Sequence, residues 1–166
     1  VNEEHDNRSP AAERSLVLKV GLTGGIGCGK TTVGLMFVAR GCRLIDSDRI
    51  THTLFEPGEA VYESVVHEFG PAILDSSGRI DRSCLAAIVF SEPLRREKLN
   101  SLVHPAIKQL QDAFLDTVRR KDPTAVAIVD AALMVETGSY KRYDRLVVVT
   151  CRPEQQSDRL KGRSGL

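Results

Sequence analysis

The chain has 166 residues, which is enough for one compact domain with a hydrophobic core and too few for two ordinary domains. Hydrophobic residues make up 42% and charged residues 27%, and the formal net charge is +1, so the composition is that of an average globular protein. This balance provides no bulk attraction to polyanions or to a membrane surface, and we expect neither nucleic acid nor a membrane as a partner.

The N-terminal residues and the cysteines are informative about the cellular compartment. Residues 1–14 are polar and contain no apolar run that would make a signal peptide or a membrane span, so we expect a disordered leader. The chain begins with valine, which leaves an upstream targeting segment open. The four cysteines are widely spaced without a CxxC pair, which argues against a zinc site or a disulfide framework and predicts reduced thiols in the cytoplasm.

Short apolar runs predict the strands of a sheet. "LVLKVGL", at 16–22, runs directly into glycines, and "KTTVGLMFVARG" after it has helical periodicity with Gly41 as the stop. "CRLID", "AVAIVD" and "RLVVVTC" are apolar on successive residues rather than alternating. Such runs are typical of a parallel sheet covered on both faces, so the predicted fold class is α/β.

The segment between "CRLID" and "AVAIVD" contains no convincing strand and is predicted to be helical. One apolar stripe is expected on a long helix, with Pro105 either in its first turn or at a kink. The stripe consists of Val103, Ile107, Leu110, Phe114 and Val118. Parallel strands need a crossover of only about a dozen residues, so the excess predicts a helical insert that holds a second substrate.

The glycine-rich stretch "VGLTGGIGCGKTTV" contains the pattern Gly-x-x-x-x-Gly-Lys-Thr from Gly24 to Thr31. Glycines allow successive N–H groups to point at phosphate oxygens, and the following helix N-terminus adds partial positive charge. Lys30 would reach the β and γ phosphates of ATP, and the Thr31 hydroxyl would ligate Mg²⁺. The alternative is a flexible turn with an unrelated lysine. The predicted nucleotide-binding residues are Gly25, Ile26, Gly27, Cys28, Gly29, Lys30, Thr31 and Thr32.

Two carboxylates, Asp46 and Asp48, follow the second predicted strand in "IDSDRITH". Parallel sheets bind ligands at the carboxyl ends of their strands, so one carboxylate could accept a hydroxyl proton while the other supports Mg²⁺. The alternative is that Asp46 or Ser47 only caps the next helix.

The ordered blocks resemble the dephospho-coenzyme A kinase family from about Lys19 to the last residue. After the glycine loop they read "LIDSDRITH", "FGPAILDSSGRIDRSCLAAIVF", "LNSLVHPAI", "IVDAALMVETG" and "VVVTCRPEQQSDRLKGR". The resemblance implies a phosphate-loop three-layer sandwich with a parallel central sheet, a helical acceptor-binding insert and a lid. It also implies transfer of the ATP γ-phosphate to the ribose 3′-hydroxyl of dephospho-coenzyme A, the last step of coenzyme A synthesis.

The resemblance also implies a division of the chain and roles for its residues. The core would be 15–52 and 124–152, the insert 53–123 and a partial lid 153–166. Asp48 would be the general base, with Asp46 supporting the substrate or Mg²⁺. The remaining implied residues are Arg82, His104 and Pro105 for the acceptor, Arg159 for ATP, and Lys30 and Arg163 for catalysis.

The sequence departs from the family pattern at several positions. Cys28 stands where serine is common, and its thiol beside a helix N-terminus would be open to oxidation or alkylation. Ala132 replaces a usual proline, and Ser47 replaces a usual alanine with little effect expected. The chain stops at "KGRSGL", where family members continue through the lid and a final helix.

Other functions remain open at this stage, as does the oligomeric state. One is a kinase for a different small acceptor, such as a nucleoside monophosphate or shikimate. Another is a nucleotide-binding regulatory module without transfer activity, although the sequence contains no evident NKxD guanine-recognition motif.

Overall fold

A computed structural model describes residues 17–164, with side chains described for residues 17–162. The predicted leader over 1–14 lies outside the described residues. Within the described range the chain forms four strands and six α-helices. They are β1 (Leu18–Gly24), α1 (Lys30–Val38), β2 (Arg43–Asp46), α2 (Ser47–Leu54), α3 (Ala60–Phe69), α4 (Arg82–Ser91), α5 (Pro93–Lys121), β3 (Val126–Asp130), β4 (Arg145–Val149) and α6 (Pro153–Ser164).

The four strands make one parallel sheet in the order β2-β3-β1-β4, and the α/β prediction is confirmed. The central strand β3 is buried along nearly its whole length, as its apolar run predicts. Strand β4 is covered less than predicted, since Val148 keeps 52% of its surface exposed. An outer strand has one neighbour in the sheet, so its covering depends on what packs beside that edge.

Helices cover both faces of the sheet. Val20, Leu22 and Ile128 point to the face that packs against Val33 and Phe37 of α1. Residues one position out of phase along the same strands point to the opposite face, because side chains alternate across a strand. There Ala127 packs with Val118, and Phe114 and Leu115 of α5 lie against the same cluster. The sheet is therefore the middle of three layers.

A second, larger core lies among the helices between β2 and β3. Val65 and Ile73 are fully buried there, together with side chains from α2, α4 and α5. Short 3₁₀ helices at Pro71–Ile73 and Ser139–Arg142 complete the elements of this range. No helix within residues 17–164 is long and apolar enough to cross a membrane.

Helix α5 differs from its prediction in two respects. It begins at Pro93, so Pro105 lies well inside the helix rather than in its first turn. The buried stripe includes Gln111, with 6% of its surface exposed, whereas Leu110 is 41% exposed. The prediction for Leu110 was wrong because a buried glutamine is stable when both ends of its amide are hydrogen-bonded, and apolar periodicity does not report this.

Candidate active site

The loop between β1 and α1 has the backbone of a phosphate-binding turn. Gly27 and Gly29 have φ angles of 75° and 93°, a region that side chains strongly disfavour. The N–H of Cys28 donates to the carbonyl of Gly25 at 3.2 Å, which closes the turn. Gly29 caps α1 without a side chain, so the first N–H groups of the helix lack a side-chain cap. A phosphate group is the usual partner of such groups.

Lys30 forms an ion pair with Asp130 at the end of β3. Asp130 is 3% exposed. Burial raises the pKa of this carboxyl, and the nearby charges of Asp46 and Asp48 act in the same direction, while Lys30 opposes them. Sequence reasoning did not select Asp130 as a site residue. The available signal was a carboxylate ending the strand "AVAIVD", at the same edge of the sheet as Asp46.

Asp46 lies opposite Asp130 in the pairing of β2 with β3. Its Oδ1 accepts from the N–H groups of Asp48 and Arg49 at 2.9 and 3.2 Å, so Asp46 caps α2. The alternative prediction, that Asp46 caps the next helix, is therefore confirmed. A role of the same carboxylate toward Mg²⁺ stays a prediction. Asp48 lies in the first turn of α2 with its side chain exposed.

A cleft of about 820 Å³ opens beside this edge of the sheet. Asp48, His104 and Pro105 line it, together with polar groups of α5 and of the segment after β3, among them Lys108 and Arg142. Ala131 donates its N–H to the carbonyl of Leu22 at 3.1 Å, and Thr23 donates its hydroxyl to the carbonyl of Ala132 at 2.9 Å. One wall of the cleft is therefore bonded to the end of β1, immediately before the phosphate-binding turn.

Arg82 does not line this cleft. It lies in the first turn of α4 and contacts the Nε2 atom of His52, one turn beyond Asp48 on α2. The structure thus places His104 and Pro105 on the cleft beside Asp48, whereas Asp46 and Arg82, also predicted to bind the acceptor, do not line it.

A buried polar network supports the helix that carries Asp48. Gln111 donates from Nε2 to the hydroxyl of Ser47 at 2.9 Å, and its Oε1 accepts from Arg142 at 2.9 Å. Arg142 also pairs with Asp112. Ser47, expected to have little effect, therefore joins α2 to α5.

Helix α6 packs onto the phosphate-binding turn. Gln156 donates from Nε2 to the carbonyl of Ile26 at 2.7 Å, and Arg159 donates from Nη1 to the carbonyl of Gly27 at 3.1 Å. Gln156 was not selected from the sequence. The side chain of Arg163 lies outside the described residues. Thr31 and Thr32 are exposed in the first turn of α1, and Ile26 is exposed in the turn.

The chain is similar to known proteins over nearly the whole range that the structure describes. A family profile described as dephospho-CoA kinase matches residues 18–166. A dephospho-CoA kinase of Methylococcus capsulatus is 40% identical over 90% of this chain and 74% of its own length. One of Syntrophus aciditrophicus is 37% identical over 94% of this chain and 66% of its own length. The chain thus spans about two thirds to three quarters of the length of these two relatives.

Solved structures agree with the fold. The crystal structure of TT1252 from Thermus thermophilus has a TM-score of 0.74 and 28% identity, covering 91% of this chain and 74% of that one. A dephospho-CoA kinase from Campylobacter jejuni has a TM-score of 0.64 over 89% of this chain and 73% of that one. At 23% identity the second likeness supports the fold alone.

Proposed function

Because the chain belongs to the dephospho-CoA kinase family, we propose that it transfers the γ-phosphoryl group of ATP to the ribose 3′-hydroxyl of dephospho-coenzyme A, forming coenzyme A. The observation that carries the proposal is the position of Asp48. This carboxylate lies at the margin of a cleft whose wall is bonded to the strand leading into the phosphate-binding turn. A kinase needs this juxtaposition of donor and acceptor.

The donor side is assigned to the turn and to Lys30. The backbone N–H groups of the turn other than that of Cys28 bind the phosphate oxygens, and Lys30 exchanges Asp130 for the β and γ phosphates. Arg159, held over the turn by Gly27, is placed to neutralise charge on the phosphates, and Arg163 is assigned the same task.

Oxygen donors for Mg²⁺ come from three elements. Thr31, Asp46 and Asp130 offer a hydroxyl and two carboxylates at one edge of the sheet, and Asp46 and Asp130 are register partners. This donor set fits Mg²⁺, which prefers oxygen ligands and retains water and phosphate in its shell. When bound, Mg²⁺ neutralises charge that develops on the transferring phosphates.

The acceptor side is assigned to the cleft. Asp48 accepts the proton of the ribose 3′-hydroxyl as its oxygen attacks phosphorus, and His104 and Pro105 shape the wall that positions the acceptor. Arg82 contacts His52 and thereby supports α2, the helix that carries Asp48. A cytoplasmic location accords with the four free cysteines.

Replacing Asp48 with asparagine tests the assignment. We expect Asp48→Asn to lower kcat for ADP release with dephospho-coenzyme A by roughly 100- to 10,000-fold, because the acceptor proton loses its base. The ATP Kd, measured by calorimetry, should change less than about twofold, since the phosphate-binding turn is intact. Asp116→Asn, an exposed carboxylate paired with Arg119, is the matched control.

The alternative functions give different results in the same experiment. A kinase for a nucleoside monophosphate or for shikimate would release ADP fastest with that acceptor. A regulatory module would bind ATP without any acceptor-dependent turnover, and Asp48→Asn would then change nothing. Either result would contradict the proposal.

A further inference from the structure

Two cysteine thiols meet beside the phosphate-binding turn. The sulfur of Cys28, within the turn, and that of Cys151, just after β4, are 3.3 Å apart, although the residues are 123 positions apart in sequence. Both are half-buried free thiols. The other two cysteines are engaged elsewhere: Cys42 packs against the core under α1, and Cys84 donates to the carbonyl of Ala72.

The topology of the sheet explains this meeting. Strands β1 and β4 are parallel neighbours, and Gly24 pairs with Val149 at their carboxyl ends. Residues that follow both strands therefore emerge at the same edge. Helix α6, which begins shortly after Cys151, returns over the turn through Gln156 and Arg159 and holds the two segments together.

The two sulfurs have unequal roles in their contact. Cys151 donates its S–H to the sulfur of Cys28, and this hydrogen bond, together with burial and the charge of Cys28, raises the pKa of the Cys151 thiol. The thiolate is the reactive form of cysteine, and the raised pKa makes Cys151 the less reactive thiol of the pair. The Cys28 sulfur therefore reacts first, and Cys151 is the resolving thiol.

We propose that Cys28 and Cys151 are an oxidative modification site, which a hydroperoxide converts to a reversible disulfide that closes the ATP site. The Cys28 thiolate attacks the terminal peroxide oxygen, forming sulfenic acid and releasing an alcohol or water. The Cys151 sulfur then attacks the sulfenic sulfur, forming the S–S bond and releasing water. Two thiols lose two electrons and two protons, and one hydroperoxide is reduced.

The loss of ATP binding follows from the position of Cys28, and this part rests on the proposed function. A disulfide bond is about 2 Å long, so the two sulfurs must approach each other by roughly 1 Å. Cys28 lies among the backbone N–H groups that converge on the phosphates, and its own N–H is already used within the turn. Anchoring the turn to β4 removes the freedom that these groups need to close around a triphosphate. We expect the ATP Kd to rise at least about tenfold, since positioning errors of about 1 Å are costly in such sites.

Mild hydrogen peroxide treatment of the full chain tests the site. We expect reactive thiols to fall from four to two, the mass to decrease by two hydrogen atoms, and a digest to yield a peptide linking Cys28 to Cys151. Dithiothreitol should restore four thiols and the original ATP Kd. Cys151→Ser should bind ATP as tightly as the reduced parent and keep that affinity after the same peroxide treatment without dithiothreitol, because no Cys28–Cys151 disulfide can form. Cys42→Ser is the matched control and should lose ATP binding on oxidation as the parent does.

Each contrary result would overturn a different part of the proposal. Four reactive thiols after peroxide, or a linkage that involves Cys42 or Cys84, would overturn the site. A mapped Cys28–Cys151 disulfide with an unchanged ATP Kd would overturn its effect on nucleotide binding. Absence of ATP binding by the fully reduced parent would contradict the proposed function, while the disulfide map would still decide the modification site.

Discussion

At the scale of single residues, Asp130 is the most constrained member of the candidate site. Its carboxylate is buried, bonded to Lys30 and close to two further carboxylates. Removing a buried partner leaves the other group uncompensated, so the pair is costly to break from one side. In the proposed function, a bound nucleotide would give Lys30 a replacement partner and leave Asp130 available to Mg²⁺.

Asp130→Asn should separate these two roles. We expect Mg²⁺-dependent turnover to fall at least about 100-fold, because a charged carboxylate ligand of the metal becomes a neutral amide. ATP affinity measured in EDTA should rise by about two- to tenfold, since a carboxylate competing for Lys30 and repelling the phosphates is gone. Asp144→Asn, which alters the carboxylate that accepts from the backbone of Lys19, serves as control. Loss of metal-free ATP binding would contradict this division of roles.

Gly24 illustrates a glycine selected by packing rather than by φ. A Cβ atom there would lie 2.5 Å from the carbonyl oxygen of Val149 on β4. We expect Gly24→Ala to lower the free energy of unfolding by about 2–3 kcal/mol, because two hydrogen-bonded strands must separate. Gly25→Ala, whose Cβ would meet nothing closer than 3.4 Å, should change it by less than about 1 kcal/mol in urea denaturation. Equal losses would contradict the packing explanation.

At the scale of elements, α5 connects the sheet to the cleft that is proposed to bind the acceptor. Its Gln111 reaches Ser47 at the start of α2 and Arg142 in the segment before β4. Asp112 pairs with the same arginine. The helix is therefore tied to the start of α2, next to Asp48, by polar contacts that centre on the buried Gln111.

Asp112 makes the stability of this junction dependent on pH. Burial alone would raise the pKa of its carboxyl, but Lys108 and Arg142 outweigh burial and hold the pKa below the usual 3.8. A lowered pKa stabilises the folded state above 3.8, and the contribution is lost as pH falls through the folded pKa. Because the side chain is 43% exposed, Asp112→Asn should cost less than about 1 kcal/mol at pH 7.

Urea denaturation between pH 7 and pH 3 measures the difference in free energy of unfolding between the parent chain and Asp112→Asn. This difference should stay constant from pH 7 to pH 5, decrease as the pH approaches 3.8, and disappear only below the lowered pKa of the folded state. Asp116→Asn provides the comparison on the exposed side of the same helix. A difference that does not vary with pH would point to packing rather than charge.

At the scale of the whole molecule, the proposed donor and acceptor sites occupy separate surfaces that share one edge of the sheet. The phosphate-binding turn lies between β1 and α1, and the cleft lies between α2, α5 and the segment after β3. A ligand that binds only the folded state raises the free energy of unfolding by about 2.7 kcal/mol at 100 times its Kd.

Two ligands on separate surfaces should therefore stabilise the chain additively. We expect a non-hydrolysable ATP analogue with Mg²⁺ and dephospho-coenzyme A each to raise the Tm, and both together to raise it by at least the sum. Thermal unfolding followed by calorimetry provides the measurement, with adenosine as a ligand control. Competition between the two ligands would contradict separate sites.

The amino-acid sequence by itself determined the phosphate-binding turn, the type of sheet and the protein family. Glycine spacing after an apolar run predicts the phosphate-binding turn, and successive apolar residues predict the parallel sheet, because both signals depend on neighbouring residues. The fold class and the resemblance to the dephospho-CoA kinase family are confirmed. Roles of the individual site residues stay predictions.

Only the tertiary structure decided which distant side chains meet. Strand order places Asp130 on Lys30 and Cys151 on Cys28, and helix packing buries Gln111 where periodicity favoured Leu110. No local pattern contains these pairings, since each requires two segments far apart in the chain to arrive at one edge of the sheet. Side-chain contacts of this kind depend on how the elements are arranged, and that arrangement is settled by packing of the whole domain.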